Sequence, residues 1–191
     1  IDVIWDLFHY GFPNDVDLFS DSFVNRFAEY CRACAKFICA HQEGVCYFTP
    51  VNEPSYFAWA AGEAGRFAPH QHGRGAELKI AVVRAAIAGI NAIREVSPTA
   101  RIVTVDPLCH VVPPHGRVDL LGEAQIFNQQ SVFERPDMLA GRLLPELGGS
   151  PEHLDIVGIN YYWTNQWELG AGREPLQPDD PRRVSLTRLV R

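Results

Sequence analysis

The 191-residue chain contains no uninterrupted apolar run of about eighteen residues, so no membrane-spanning helix is expected. It has no Lys/Arg run of five, and its 17 basic residues are outnumbered by 23 acidic ones, for a net charge of −6. That balance speaks against a nucleic-acid partner and against docking on an anionic membrane surface. Disorder is excluded as the main state, because 47% of the residues are hydrophobic and only 21% are charged. There is no internal repeat, low-complexity tract or clear linker. An even cysteine count is also missing. The five cysteines, Cys31, Cys34, Cys39, Cys46 and Cys109, do not make a disulfide framework and favour a reducing, cytoplasmic setting. No metal is expected: the first four cysteines read as small buried hydrophobes, and His70 and His72 have no acidic partner nearby in sequence. The chain opens on Ile1 without a basic leader and closes on what reads as the start of a helix at Ser185 to Arg191. The expectation is an internal piece of a longer protein.

What is present is an alternation of strand-like and helix-like segments. Strands are expected at about Asp2–His9, Val45–Asn52, Arg101–Asp106 and Leu154–Tyr162. The second contains Pro50, which removes a ladder hydrogen bond from a central strand. One helix is expected at about Asp21–Ala40, with Ser20 as N-cap and Phe23, Phe27, Tyr30, Cys34 and Phe37 on one face. A second runs at about Ala76–Val96, with Leu78, Val82, Ala85 and Ile93 buried, and a third begins near Val118. Ser55 to Gly75 reads as a long loop rich in aromatics, glycine and histidine. The class is α/β, with βαβ units and a parallel sheet.

In parallel α/β proteins chemistry gathers at the carboxyl ends of the strands. Here those ends carry His9, Asn52-Glu53 and Asn160-Tyr161-Tyr162, with Tyr56, Phe57, Trp59, Trp163 and Trp167 in the loops that follow. Aromatic rings beside hydrogen-bonding groups suit a sugar, which has C–H faces and hydroxyl edges. Glu53 is the centre. Its apolar neighbours Phe48, Val51 and Pro54 would disfavour the ionised carboxylate and keep a proton available for a leaving oxygen. Asn52 offers both a donor and an acceptor to a hydroxyl.

Three ordered motifs carry a resemblance. Leu7-Phe8-His9-Tyr10-Gly11-Phe12-Pro13 is similar to the third-strand motif of glycoside hydrolase family 1, the β-glucosidase family of clan A. Tyr47-Phe48-Thr49-Pro50-Val51-Asn52-Glu53-Pro54 resembles its fourth-strand motif, and Asp155-Ile156-Val157-Gly158-Ile159-Asn160-Tyr161-Tyr162 its sixth. The resemblance implies the central portion, strands three to six, of a single (β/α)8 TIM barrel over residues 1–191, the rest of the barrel lying outside. It implies a retaining glycosidase acting on carbohydrate without a cofactor. Glu53 would be the general acid/base. His9 and Asn52 would bind sugar hydroxyls, Tyr162 would hold the nucleophilic carboxylate, and Asn160 would order the site. Trp163 and Trp167 would shape the entrance.

Two departures mark a divergent branch: Gly11 replaces the usual acidic residue of the third-strand motif, and Pro50 replaces a strand former. The family's nucleophile is a Glu on the seventh strand, beyond Arg191, and Glu168 lies in a loop. Residues 1–191 alone are therefore expected to be inactive. The alternatives are a non-catalytic sugar-binding pseudoenzyme and an inactive fragment.

Overall fold

The computed structural model of the protein describes residues 2–170 and 174–190. The chain divides into two compact units, one of Ile1–Asp106 and Arg135–Gly158, the other of Pro107–Glu134 and Ile159–Arg191.

The first unit begins with β1 (Ile4–Asp6), α1 (Asp21–His41) and β2 (Tyr47–Thr49). A short helix α2 (Pro54–Phe57), α3 (Gly75–Val96) and β3 (Arg101–Pro107) follow. After β4 (His110–Val112) and α4 (Leu121–Val132), which belong to the second unit, come α5 (Glu134–Leu139) and β5 (Ile156–Asn160). The four-stranded sheet has the order β1-β2-β3-β5. β1 pairs parallel with β2, Ile4 opposite Tyr47, and β2 pairs parallel with β3, Tyr47 opposite Arg101. These are the expected strands, trimmed. β2 stops at Thr49 because Pro50 has no N–H to give the ladder. Pairing resumes beyond the proline in an isolated parallel bridge between Asn52 and Val105. Asp155 fixes the β3–β5 register: its carboxylate accepts from the Ile102 N–H at 2.9 Å and pairs with Arg101 at 2.7 Å.

α1 and α3 pack against each other. α3 buries Leu78, Val82, Ala85 and Ile93, as the periodicity requires. On α1 the buried line is Phe23, Phe27, Cys31 and Ala35, whereas Tyr30 and Phe37, expected on the same face, are exposed. The reason is close approach. A Cβ placed on Gly89 of α3 would lie 2.9 Å from Cys31 Sγ and 3.1 Å from the Phe27 ring. Gly89 admits Cys31 and the Phe27 ring there, and the buried residues follow one i, i+4 row, which leaves Tyr30 and Phe37 on its flank. Each fully buried phenylalanine on the line still contributes about 1.5–3 kcal/mol. Ser20 does stand at the N-cap of α1 in extended conformation, but its hydroxyl donates to the Asp17 carbonyl at 2.7 Å instead of capping the helix.

The segment expected as one long loop is partly helical. α2 starts with Pro54 at its first turn, and a π-turn over Ala58–Glu63 continues it. Ala60, Ala61 and Gly62 are buried there, and a Cβ on Gly62 would come within 3.0 Å of Leu78 Cβ. Small residues let this turn lie directly on α3.

The second unit contains a two-stranded parallel pair that the sequence pattern did not announce. β4 runs beside β6 (Gln166–Glu168), with Val111 opposite Trp167. Asn128 of α4 clasps the edge of β4, donating to the Val111 carbonyl at 2.9 Å and accepting from its N–H at 2.8 Å. The helix expected near Val118 starts as a 3-10 turn, Val118–Leu120, and becomes α4. A final short helix, α6, spans Leu186–Leu189. Among the described residues no helix is long and apolar enough to cross a membrane.

Candidate active site

The site in the first unit is built where β1 and β2 end. Beyond Thr49 the chain turns so that the Asn52 N–H donates to the Phe8 carbonyl at 3.0 Å and the Glu53 N–H to the Val105 carbonyl at 3.1 Å. The corner is thereby tied both to the segment after β1 and to β3. Glu53 itself has φ 47° and ψ 57°, in the left-handed region, immediately before Pro54. Tyr10, in the turn after β1, has φ 71°. A non-glycine residue held there costs on the order of 1–3 kcal/mol, and such residues cluster where function requires a particular side-chain aim.

The two strained residues face each other. The Tyr10 hydroxyl donates to Glu53 Oε2 at 2.6 Å and accepts from Asn52 Nδ2 at 3.1 Å. Asn52 and Glu53 are both buried. The Tyr10 ring stacks on Phe57 at 5.6 Å and 2°, and on Phe67 at 5.6 Å and 23°, with Tyr56 tilted at 6.0 Å. Burial first, then the hydrogen bond and charge of Glu53, push the phenol far above its ordinary range, so it keeps its proton. His9 stands beside it, ring centroids 4.8 Å apart, with its side chain 64% exposed. Its Nδ1 contacts Asp6 Oδ2 at 2.6 Å. A ring that gives its Nδ1 to Asp6 has Nε2 left for an outside partner.

A buried ion pair supports this corner from behind. Asp106, at the end of β3, accepts from the Ser55 N–H at 3.2 Å, the Ser55 hydroxyl at 2.7 Å and Arg135 Nε at 3.1 Å. Both charged side chains are almost fully buried. Burial pushes the Asp106 carboxyl up, while Arg135 and Ser55 pull it down. Because Ser55 lies two residues after Glu53, this pair anchors the turn that carries the acid.

Of the sequence-predicted residues, His9, Asn52 and Glu53 thus come together in one unit. Asn160, Tyr162 and Trp163 lie in the second unit. Asn160 closes β5, and its carbonyl accepts from the Leu108 N–H at 3.0 Å. Tyr162 and Trp163 are 64% and 58% exposed, and the Trp163 carbonyl accepts from Arg183. The Tyr161 hydroxyl accepts from the fully buried Gln166 at 2.7 Å. Trp167 packs edge-on against Phe127 at 5.9 Å, and Glu168 of β6 pairs with Arg182 at 2.7 Å. Trp59 has Arg66 over its ring at 4.7 Å, which makes it an anchor of its own loop.

Three participants were missed. Tyr10 looked like a turn residue, although it sits between His9 and Gly11 in the first motif. Asp106 occupies a strand end, the same positional signal that singled out Glu53. Nothing in the sequence marks Arg135, which reaches Asp106 from 29 residues away.

No family model matches the chain, and no curated protein matches it by sequence. Solved structures do match. One is the AHE enzyme from Alicyclobacillus herbarius, with TM-score 0.71 and 17% identity over 85% of this chain and 41% of that one. A family 1 β-glucosidase from Thermotoga maritima, in complex with isofagomine lactam, gives 0.69 and 16% over 91% of this chain and 44% of that one. A rice β-glucosidase gives 0.69 and 15% over 85% and 41%. The chain therefore spans under half the length of these proteins. At such identities the likeness is one of fold. Parallel strands alternating with helices make this chain part of a TIM barrel, folded like the corresponding part of family 1 β-glucosidases.

Proposed function

We propose that residues 1–191 carry the acid/base half of a retaining glycoside hydrolase site, and that the nucleophilic carboxylate belongs to barrel outside them. The observation that carries this reading is the Asn52-Glu53 corner. It is a buried carboxyl at the carboxyl end of a parallel sheet, braced by Tyr10 and flanked by an exposed histidine. In the complete site a carboxylate attacks the anomeric carbon while Glu53 gives its proton to the departing glycosidic oxygen. Glu53 then takes a proton from the water that cleaves the glycosyl ester. His9 and Asn52 hold sugar hydroxyls, and Asn160, Tyr162 and Trp163 keep the substrate-binding roles that the family resemblance implies for them. No cofactor enters this chemistry. The structural neighbours include β-glucosidases in complex with deoxynojirimycin and castanospermine, which supports a carbohydrate as the bound class.

The test uses the longer polypeptide with its barrel complete, beside residues 1–191 alone. Glu53→Ala is expected to cut hydrolysis of an unactivated glycoside about 100- to 10,000-fold. Azide, a nucleophile that needs no general base, is expected to restore turnover of a dinitrophenyl glycoside and give a glycosyl azide of retained configuration. Residues 1–191 alone are expected to turn over neither substrate. Full activity of Glu53→Ala would end the proposal, and sugar binding without turnover in the complete polypeptide would favour a pseudoenzyme.

A further inference from the structure

We infer that Tyr10 is a positioning residue for Glu53, holding its carboxyl group in one orientation; this rests on the acid/base reading of Glu53 above. Its hydroxyl donates to Oε2 at 2.6 Å, and the Asn52 amide donates to that hydroxyl at 3.1 Å, so the phenol proton is directed at Glu53. Oε2 is thereby occupied from the protein side.

Three further features show that the contact is constructed. The Tyr10 ring is held between Phe57 and Phe67, which leaves the hydroxyl little freedom to swing away. Both partners adopt left-handed backbone, φ 71° at Tyr10 and φ 47° at Glu53, a conformation that bulky side chains avoid unless their surroundings enforce it. The phenol is held protonated by burial and by Glu53, so it remains a donor throughout the working pH range. A carboxyl group anchored through Oε2 keeps the aim that the strained corner gives it. An acid held on line with its target avoids the loss, as large as about 100-fold, that a small misplacement produces.

Tyr10→Phe removes one oxygen and keeps the ring stack. In the complete barrel polypeptide the expected signature depends on the leaving group. kcat/KM for an alkyl glycoside, whose departing oxygen must be protonated, falls about 10- to 100-fold. kcat/KM for a dinitrophenyl glycoside, which leaves unaided, falls by less than about 3-fold, while its kcat and KM fall together because Glu53 is also the base of the second step. A loss of equal size on both substrates would mean a merely structural role and would overturn the inference, as would no loss on either. Glu53→Gln serves as the reference. If it does not discriminate between the two substrates, the acid/base reading itself fails; if it does and Tyr10→Phe does not, only the role of Tyr10 fails.

Discussion

At the residue scale the Asn52-Glu53 corner depends on a charge pair that touches no substrate. Asp106 and Arg135 are both nearly fully buried, and Asp106 also accepts two hydrogen bonds from Ser55. Removing one member of such a pair strands the other charge in an apolar surround, which costs about 3–5 kcal/mol. Asp106→Asn is therefore expected to lower stability by about that much, because Arg135 Nη1 already has no hydrogen-bond partner there. Asp106→Asn combined with Arg135→Met removes the stranded charge and is expected to recover part of the loss. Urea unfolding of the three chains checks this, and a double variant no better than the single one would refute it. The corner was legible in outline, because the strand-end rule and the motifs both pointed to Asn52 and Glu53. Its bracing was not: Tyr10 acts through a hydrogen bond to Glu53 across 43 residues and Arg135 through a long-range pair, and neither has a local sequence signal.

Elements show the same division. α3 was readable because a helix covered on a broad apolar face repeats its hydrophobic residues at helical spacing, as Leu78, Val82, Ala85 and Ile93 do. α1 was misread in part because the contact with α3 selects one i, i+4 row, Phe23, Phe27, Cys31 and Ala35, out of a broader apolar face, while Tyr30 and Phe37 on its flank are exposed. The 3-10 turn Pro151–His153, which leads into β5, has a pH-dependent capping box. His153 Nδ1 accepts from the Ser150 N–H at 2.9 Å, and the ring lies 3.1 Å from Asn91 Oδ1 through Nε2. Burial holds this histidine below its ordinary value, the neighbouring Arg94 adds to that, and the Ser150 carbonyl and Glu152 oppose it. The sign follows from proton linkage. As pH falls below about 6.5, the unfolded chain binds a proton that folded His153 resists, so stability is complete above that pH and declines below it. His110, also held down by burial, acts in the same direction. His153→Gln is expected to flatten the decline below about pH 6.5, measured by urea midpoints at each pH. A slope that does not change would remove His153 as its source.

For the whole molecule, the decisive feature is a sheet whose two outer strands carry exposed apolar side chains. β1 is one end of the strand order, with Ile4 55% and Trp5 41% exposed. β5 is the other, with Val157 59% and Ile159 42% exposed. Beside β1 lies an open groove of about 540 Å³, lined by Phe8, Phe12, Phe23, Phe27 and Tyr30 among others. A closed barrel covers its strands on both faces and has no edges, whereas four parallel strands leave two. Soluble monomers seldom leave apolar surface of this kind uncovered, and strands with unpaired N–H and C=O groups recruit other strands. Residues 1–191 by themselves are thus expected to self-associate. Their light-scattering mass should rise above 21.4 kDa with concentration, and they should bind an apolar dye such as ANS. Ile4→Lys together with Val157→Lys places a charge on each outer strand and is expected to lower both signals while leaving the α1–α3 core untouched. A monomer at every concentration, with no dye bound, would show that these edges are satisfied within one copy. Association that survives both lysines would place the contact elsewhere, on the groove beside α1, where Tyr30→Glu would then be the variant to disrupt it.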